Sequence, residues 1–234
     1  MKAWLCLIAA LAFGVAPFVT DGFAGFRADQ FPIPQTNPPV QPAGYAFSIW
    51  SIIYLWLLIF AINGVWKHRD DHDWDEIWLP AAISMGIGAV WIKAATTSVL
   101  LATVLIWAML ITALWALFRA RNVRPGWLCA LPLGLYAGWL SAASLVSIGL
   151  VGAGYGIVLD EVQWAALMLI AAFLGGAAIA GLLDWVWTYP LALCWATAAI
   201  MIRNIEGETW IMVLAGLVAL VFAAVTLRQI TSQR

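Results

Sequence analysis

Charge is scarce in this chain: eleven Lys and Arg with twelve Asp and Glu make up 10% of its 234 residues, against about 25% in soluble domains. No basic tract exists to neutralise phosphates, which excludes nucleic acid as a partner. Histidine is scarcer still. His68 and His72 lie in one polar stretch, so no serine or cysteine nucleophile has a histidine base on another segment. A histidine pair on facing helices that could ligate haem is missing for the same reason. Cys6, Cys129 and Cys194 fall in or near apolar stretches without metal-ligand spacing, which reads as packing rather than a disulfide framework. No glycine-rich phosphate loop precedes a Lys-Ser or Lys-Thr pair. Ionisable groups inside apolar runs are limited to Lys93 and Asp184 at the edges, which speaks against an ion-driven pump or channel. What remains is the composition of a binder, with no catalytic residue, required cofactor or metal site to name.

Apolar residues are abundant instead, at 65% of the chain, and sixteen of them are tryptophan. Charge positions cut the sequence into eight uncharged runs: 3–20, 30–66, 77–92, 94–118, 125–159, 162–183, 185–202 and 209–227. A membrane span needs about 20 mostly apolar residues to cross about 30 Å of hydrocarbon. Lipid offers no partner to open backbone groups, so the spans are helices. They are expected near 3–19, 44–66, 77–95, 98–118, 127–149, 162–182, 185–203 and 209–227. The fold class is therefore all-α, a polytopic integral membrane helical bundle of about eight transmembrane helices. Five prolines between Pro32 and Pro42 make the segment 30–43 a loop. Four glycines in 149–156 read as a turn region, and Asp184 as a hairpin turn. The first run also has the form of a signal peptide ending near Gly14-Val15-Ala16, whose removal would leave seven helices.

With the N-terminus inside, inner segments carry Lys2, Lys67, Arg69, Arg119, Arg121, Arg124, Arg228 and Arg234, while outer ones carry Arg27, Lys93 and Arg203. That asymmetry follows the positive-inside tendency and places both termini in the cytoplasm, with the lipid bilayer as a constant partner. The inner segment 67–76 holds both histidines and five acids. His68 and His72 stand one helical turn apart, a metal-ligand interval. Asp71, Asp73 and Asp75 alternate like the start of a calcium loop, but the required glycine and closing glutamate are absent. The segment reads as a solvated loop between two helices.

The best-defined pattern runs from Pro38 to Tyr54. Phe47, Trp50 and Tyr54 stand at i, i+3 and i+7, one stripe of a helix, with Tyr45 at its mouth and Pro42 stiffening the approach. Planar aromatic walls with a few donors suit a flat apolar ligand; helix packing and interfacial anchoring would use the same residues. Here the sequence resembles the TspO/MBR family, the tryptophan-rich sensory proteins and peripheral-type benzodiazepine receptor relatives. That family opens its second helix with Pro-Pro-x-Trp-x-Phe, then Val-Trp and Leu-Tyr. The counterparts are Pro42 or Pro38-Pro39, Tyr45, Phe47, Ile49-Trp50 and Ile53-Tyr54, closest to longer bacterial relatives with Pro-Ala-Gly-x-x-Phe-Ser-Ile-Trp. Tyr45 replaces the first tryptophan, and Phe47 to Trp50 is three residues where shorter members have four. The fifth helix echoes the family through Pro132, Tyr136 and Trp139, although Ser147 replaces its asparagine.

The resemblance implies a TspO-like bundle over residues 1–150, with additional helices of the same membrane domain over 151–234. It also implies a bacterial cytoplasmic membrane location and, often, a homodimer. The implied ligand is a tetrapyrrole or a sterol- or carotenoid-like lipophile, bound for sensing or carriage, with Pro42, Tyr45, Phe47, Trp50, Tyr54, Tyr136 and Trp139 as its site. Two other readings stand beside it. Gly44 precedes Tyr54 by ten residues as Gly126 precedes Tyr136, as in a small transporter with two four-helix halves. The tryptophans could also serve a membrane scaffold or assembly factor with no ligand. Asn63, the amide of the second helix, is expected to hydrogen-bond across helices.

Overall fold

The computed structural model describes residues 1–20 and 23–232. Among them the chain forms eight α-helices and no strand: α1 Lys2–Val19, α2 Ile49–Lys67, α3 His72–Thr97, α4 Val99–Arg119, α5 Ala130–Gly154, α6 Glu161–Leu182, α7 Thr188–Arg203 and α8 Thr209–Ser232. Seven are long and apolar enough to cross a membrane, counting the 3-10 turn Gly44–Ser48 with α2. The eighth, α7, has 16 residues and is walled in by α5, α6 and α8. The protein is an integral membrane helical bundle whose surroundings are lipid.

Helix α5 is the axis of the bundle and its most buried span. It touches α2, α4, α6 and α7, and its small residues set how close they come. A Cβ on Gly138 would stand 2.4 Å from the Tyr189 carbonyl oxygen, so the α7 backbone lies directly on α5. Polar side chains stitch the same neighbours. The Thr188 hydroxyl donates to the Leu131 carbonyl at 2.7 Å, Ser84 donates to the Met109 carbonyl at 2.8 Å, and Ser84 and Tyr136 share a hydrogen bond at 3.0 Å. In hydrocarbon such pairs keep hydroxyls from being buried alone.

Three local expectations are corrected. The segment 67–76 is not one loop, since α2 extends through Lys67 and α3 begins at His72. Asp71 caps α3, accepting from the Asp73 N–H at 3.0 Å, and Asp73 and Asp75 sit in the first turn where the helix dipole favours acids. His68 stacks on Trp74 at 4.3 Å, and among the described residues no cluster of three metal-ligating side chains forms. The glycine-rich segment 149–156 is mostly helix, because α5 continues to Gly154. Its glycines are contact points: a Cβ on Gly152 would meet the Trp164 ring at 2.2 Å, and one on Gly154 the Phe31 ring at 2.3 Å. Helix α8 passes Arg228 and ends at Ser232. Arg234, counted among the inner charges, lies outside the described residues.

Asp184 occupies the turn between α6 and α7, and Lys93 is exposed one turn before the end of α3. Asn63 does not find the cross-helix partner expected of it; its Oδ1 is buried and unpaired. The ten-residue glycine-to-tyrosine spacing leads into α2 and into α5, which are the second helix of one four-helix half and the first of the other. It therefore does not superpose two halves.

The proline segment crosses the end of the bundle where α1, α3, α5 and α7 finish. Its backbone is tied down on several sides. Ile33 N–H donates to the Gly154 carbonyl at 2.9 Å, and Ala43 N–H to the Ala199 carbonyl at 3.1 Å. Arg203 donates to the Asn37 side chain, and Asn204 Nδ2 to the Pro39 carbonyl at 2.9 Å. Gln30 Nε2 reaches the Ala95 carbonyl at 2.8 Å. A segment rich in proline offers few N–H groups for a ladder; here its carbonyls and its neighbours' side chains do the anchoring.

Candidate functional site

Under this segment the second helix, the fifth helix and the loop bring their rings together. Trp50 and Tyr54, four apart on α2, stack with centroids 5.4 Å apart. Phe13 of α1 stands edge-on to both, at 5.8 Å from Trp50 and 4.8 Å from Tyr54. Trp139 is edge-on to Trp50 at 6.2 Å and to Phe47 at 5.9 Å. Tyr136, one turn earlier on α5, tilts against Trp50 at 6.3 Å. Each pair lies in the range where aromatic edges and faces attract. Phe23 extends the cluster from the loop, 4.8 Å from Trp91 and 5.8 Å from Phe47.

A void of about 40 Å³ lies within this cluster. Phe47 and Trp50 border it from one side, Trp139 and Ser147 from α5, and Trp91 from α3. Phe23, Phe26, Gln41 and Pro42 close it from the loop, and Ala196 of α7 completes the wall. The lining is almost wholly apolar, and two polar groups in it have no partner. Trp139 Nε1 is buried without an acceptor, and Gln41 Oε1 is buried without a donor. By contrast, the Trp91 indole donates to the Ala102 carbonyl at 2.9 Å. An unpaired buried donor or acceptor costs about 1–3 kcal/mol; the indoles of Trp74, Trp78 and Trp107 and the amide of Asn63 are in the same state away from the void, so the aromatic lining and not the unpaired atoms sets this place apart.

Of the seven residues singled out from sequence, Pro42, Phe47, Trp50 and Trp139 border the void. Tyr54 and Tyr136 form a second layer behind Trp50, joined through Phe13. Tyr45 is elsewhere: it is 44% exposed and stands edge-on to Trp195 at 5.5 Å. The Trp195 indole meanwhile donates to the Ala46 carbonyl at 3.0 Å, which fixes the turn that carries Tyr45. Sequence reasoning passed over Phe13, Phe23, Phe26, Gln41 and Trp91, and noted Ser147 only as a departure from the family's asparagine. Trp91 lies on α3, outside the α2 and α5 stripes that the spacing singled out. The loop residues carried no periodic signal at all.

A family model described as TSPO-like protein matches residues 4–228, from the first helix into the last. The chain belongs to that family. The match runs through α6, α7 and α8 as well as the five N-terminal helices, so the wall supplied by Ala196 and the anchors at Arg203 and Asn204 lie within it. No curated protein and no solved structure matches the chain. As a TSPO-like membrane protein it holds its densest aromatic cluster under the proline segment, around the void that Trp139 and Gln41 border.

Proposed function

We propose that this TSPO-like protein binds a flat, mainly apolar ligand in the aromatic void, as a sensor or carrier rather than an enzyme. The carrying observation is the convergence of Phe47, Trp50, Trp91 and Trp139 on one mainly apolar void under the proline segment, where Trp139 Nε1 and Gln41 Oε1 are also unpartnered. A ligand with a hydrogen-bond acceptor for the indole, and a donor for the amide oxygen, would recover both lost bonds. A tetrapyrrole with polar edge groups and a hydroxylated sterol- or carotenoid-like lipophile share that description. Phe47, Trp50 and Trp139 supply the faces, Pro42 the roof, and Tyr54 and Tyr136 the backing that fixes Trp50. Tyr45, packed on Trp195 outside the lining, is not part of the proposed site.

At about 40 Å³ the void has room for water but not for such a ligand, which needs about 300 Å³ or more. Binding on this reading displaces Phe23 and Phe26, the rings that the loop inserts. Helices α2–α5 carry most of the pocket, while α7 adds Ala196 to its wall and holds its roof through Arg203 and Asn204. Both termini face the cytoplasm of a bacterial cell, because the ends carrying Lys2, Lys67, Arg69, Arg119, Arg121 and Arg124 lie together. A homodimer is the assembly that the family likeness suggests.

Titration with a dicarboxylic porphyrin, read by tryptophan quenching in detergent or lipid discs, tests the proposal. Saturable quenching that weakens about tenfold or more in Trp50→Ala, with helicity retained, supports the pocket. Quenching that never saturates, or that is equal in the variant, indicates partitioning into lipid and overturns it.

A further inference from the structure

The opposite end of the bundle carries a second cleft, unrelated to the aromatic void. The 3-10 turn Gly126–Leu128 leads into α5 there, beside the turn that joins α6 to α7. Between them is a cleft of about 340 Å³ lined by Arg121, Arg124, Trp127, Leu131 and Trp185. Three of the seven described Lys and Arg at this end are matched by an acid. Lys2 pairs with Asp75 at 2.5 Å, Arg69 with Asp70 at 3.1 Å, and Arg119 with Glu76 at 2.8 Å. Among the described residues, Arg121 and Arg124 pair with no carboxylate. Arg124 donates only to backbone, at the Val123 and Arg121 carbonyls 3.3 and 3.5 Å away. Asp184 precedes Trp185 but is exposed, lies outside the lining and forms no ion pair among the described residues.

Other features of the cleft share the same polarity. Ala130, the first residue of α5, lines it, and Cys129 provides no side-chain cap, so the positive end of a 25-residue helix dipole faces the two guanidinium groups. Trp127 is 58% exposed, and the rigid turn that presents it is held by the Trp56 indole, which donates to the Trp127 carbonyl at 2.9 Å. Exposed indoles at a span end sit at headgroup depth in a bilayer.

We propose that this cleft binds the phosphate headgroup of an anionic phospholipid. Guanidinium forks match phosphate oxygens in pairs, and basic pockets between helix ends hold acidic headgroups. The indoles decide between lipid and free anion: Trp127 and Trp185 would flank the glycerol and the first acyl carbons, for which inorganic phosphate has no counterpart.

The test uses the full chain, purified with phosphatidylglycerol and phosphatidylcholine and then washed with detergent, with retained lipid counted by native mass spectrometry. Wild type should keep phosphatidylglycerol selectively. Arg121→Gln with Arg124→Gln should reduce that retention about tenfold or more, each cation near the surface contributing about fivefold. Arg119→Gln, which removes an acid-paired cation, should leave it unchanged. Equal retention in the double variant, or an equal loss in Arg119→Gln, would replace the cleft by diffuse charge. Displacement of the lipid by millimolar inorganic phosphate would show an anion site without lipid and overturn the assignment. Porphyrin quenching measured on the same samples reports folding and is expected to be unaffected by either variant.

Discussion

Asn204, at the end of α7, donates from Nδ2 to the Pro39 carbonyl 2.9 Å away and thereby ties the last third of the chain to the roof of the aromatic void. The same amide also reaches the Ile200 carbonyl at 2.8 Å, and the residue is 2% exposed. Asn204→Ala should leave a buried carbonyl unpaired at a cost of about 1–3 kcal/mol. Because the lost bond joins the loop to α7 and leaves the helix ladders intact, that cost should appear locally. Hydrogen exchange at the Gln41 and Ala43 amides, which bond to Pro38 and Ala199, should quicken while α3 and α4 amides keep their protection. Unchanged exchange in the loop would mean that Arg203 and the Ile33–Gly154 bond suffice.

The α5–α7 crossing should be the least tolerant place in the bundle. At Gly138 an added Cβ meets the Tyr189 carbonyl oxygen at 2.4 Å and the Ala192 Cβ at 2.9 Å, so backbone rather than a flexible side chain would have to move. Gly138→Ala should lower stability by about 1–3 kcal/mol, seen as a lower Tm in detergent. Gly175→Ala, where nothing lies within 4 Å, is the matched control and should melt like wild type. Equal melting of both variants would remove the close helix contact as a stabilising feature.

The membrane fold was legible because its cause is solvent. Absent charge over eight runs forces helices whatever the side chains do, and α1, α4 and α6 fall within two residues of their expected bounds. The ends were harder where two rules competed. Glycines at 149–156 suggest a turn by conformational freedom, yet Gly152 and Gly154 serve as flat surfaces for Trp164 and Phe31, and close packing keeps α5 intact. Acids at Asp73 and Asp75 suggest solvent, yet beside a capping Asp71 they favour the start of α3. The aromatic stripe was readable from spacing on α2 and α5. The loop's share was not, since Phe23, Phe26 and Gln41 are placed by long-range bonds that leave no period in the sequence.

Trp139→Phe separates the indole donor from the ring. The change keeps an aromatic face against Trp50 and Phe47 but removes the unpaired Nε1. The apo protein should be as stable or slightly more stable, since a buried unsatisfied donor disappears. Affinity for a carboxylate-bearing porphyrin should fall about fivefold to tenfold, in line with about 1–1.5 kcal/mol for one hydrogen bond. An etioporphyrin without oxygen substituents should bind both proteins alike. A parallel loss for both porphyrins would assign Trp139 a purely steric part.

Phe23→Ala should open the void from the loop side. The Phe23 ring contacts Phe26, Phe47 and Trp91 with centroids 4.8 to 5.8 Å away, and none of these rings is held by Phe23 alone. Its removal enlarges the space of about 40 Å³ without cutting the bonds that anchor residues 33 to 43. If displacing the ring costs a ligand about 1 kcal/mol, apparent affinity should rise about fivefold, because the competent state no longer has to be prepared. Stopped-flow quenching should place that gain in faster association. Slower association, with the loop amides still protected, would instead make Phe23 part of the binding surface rather than the ring that fills it.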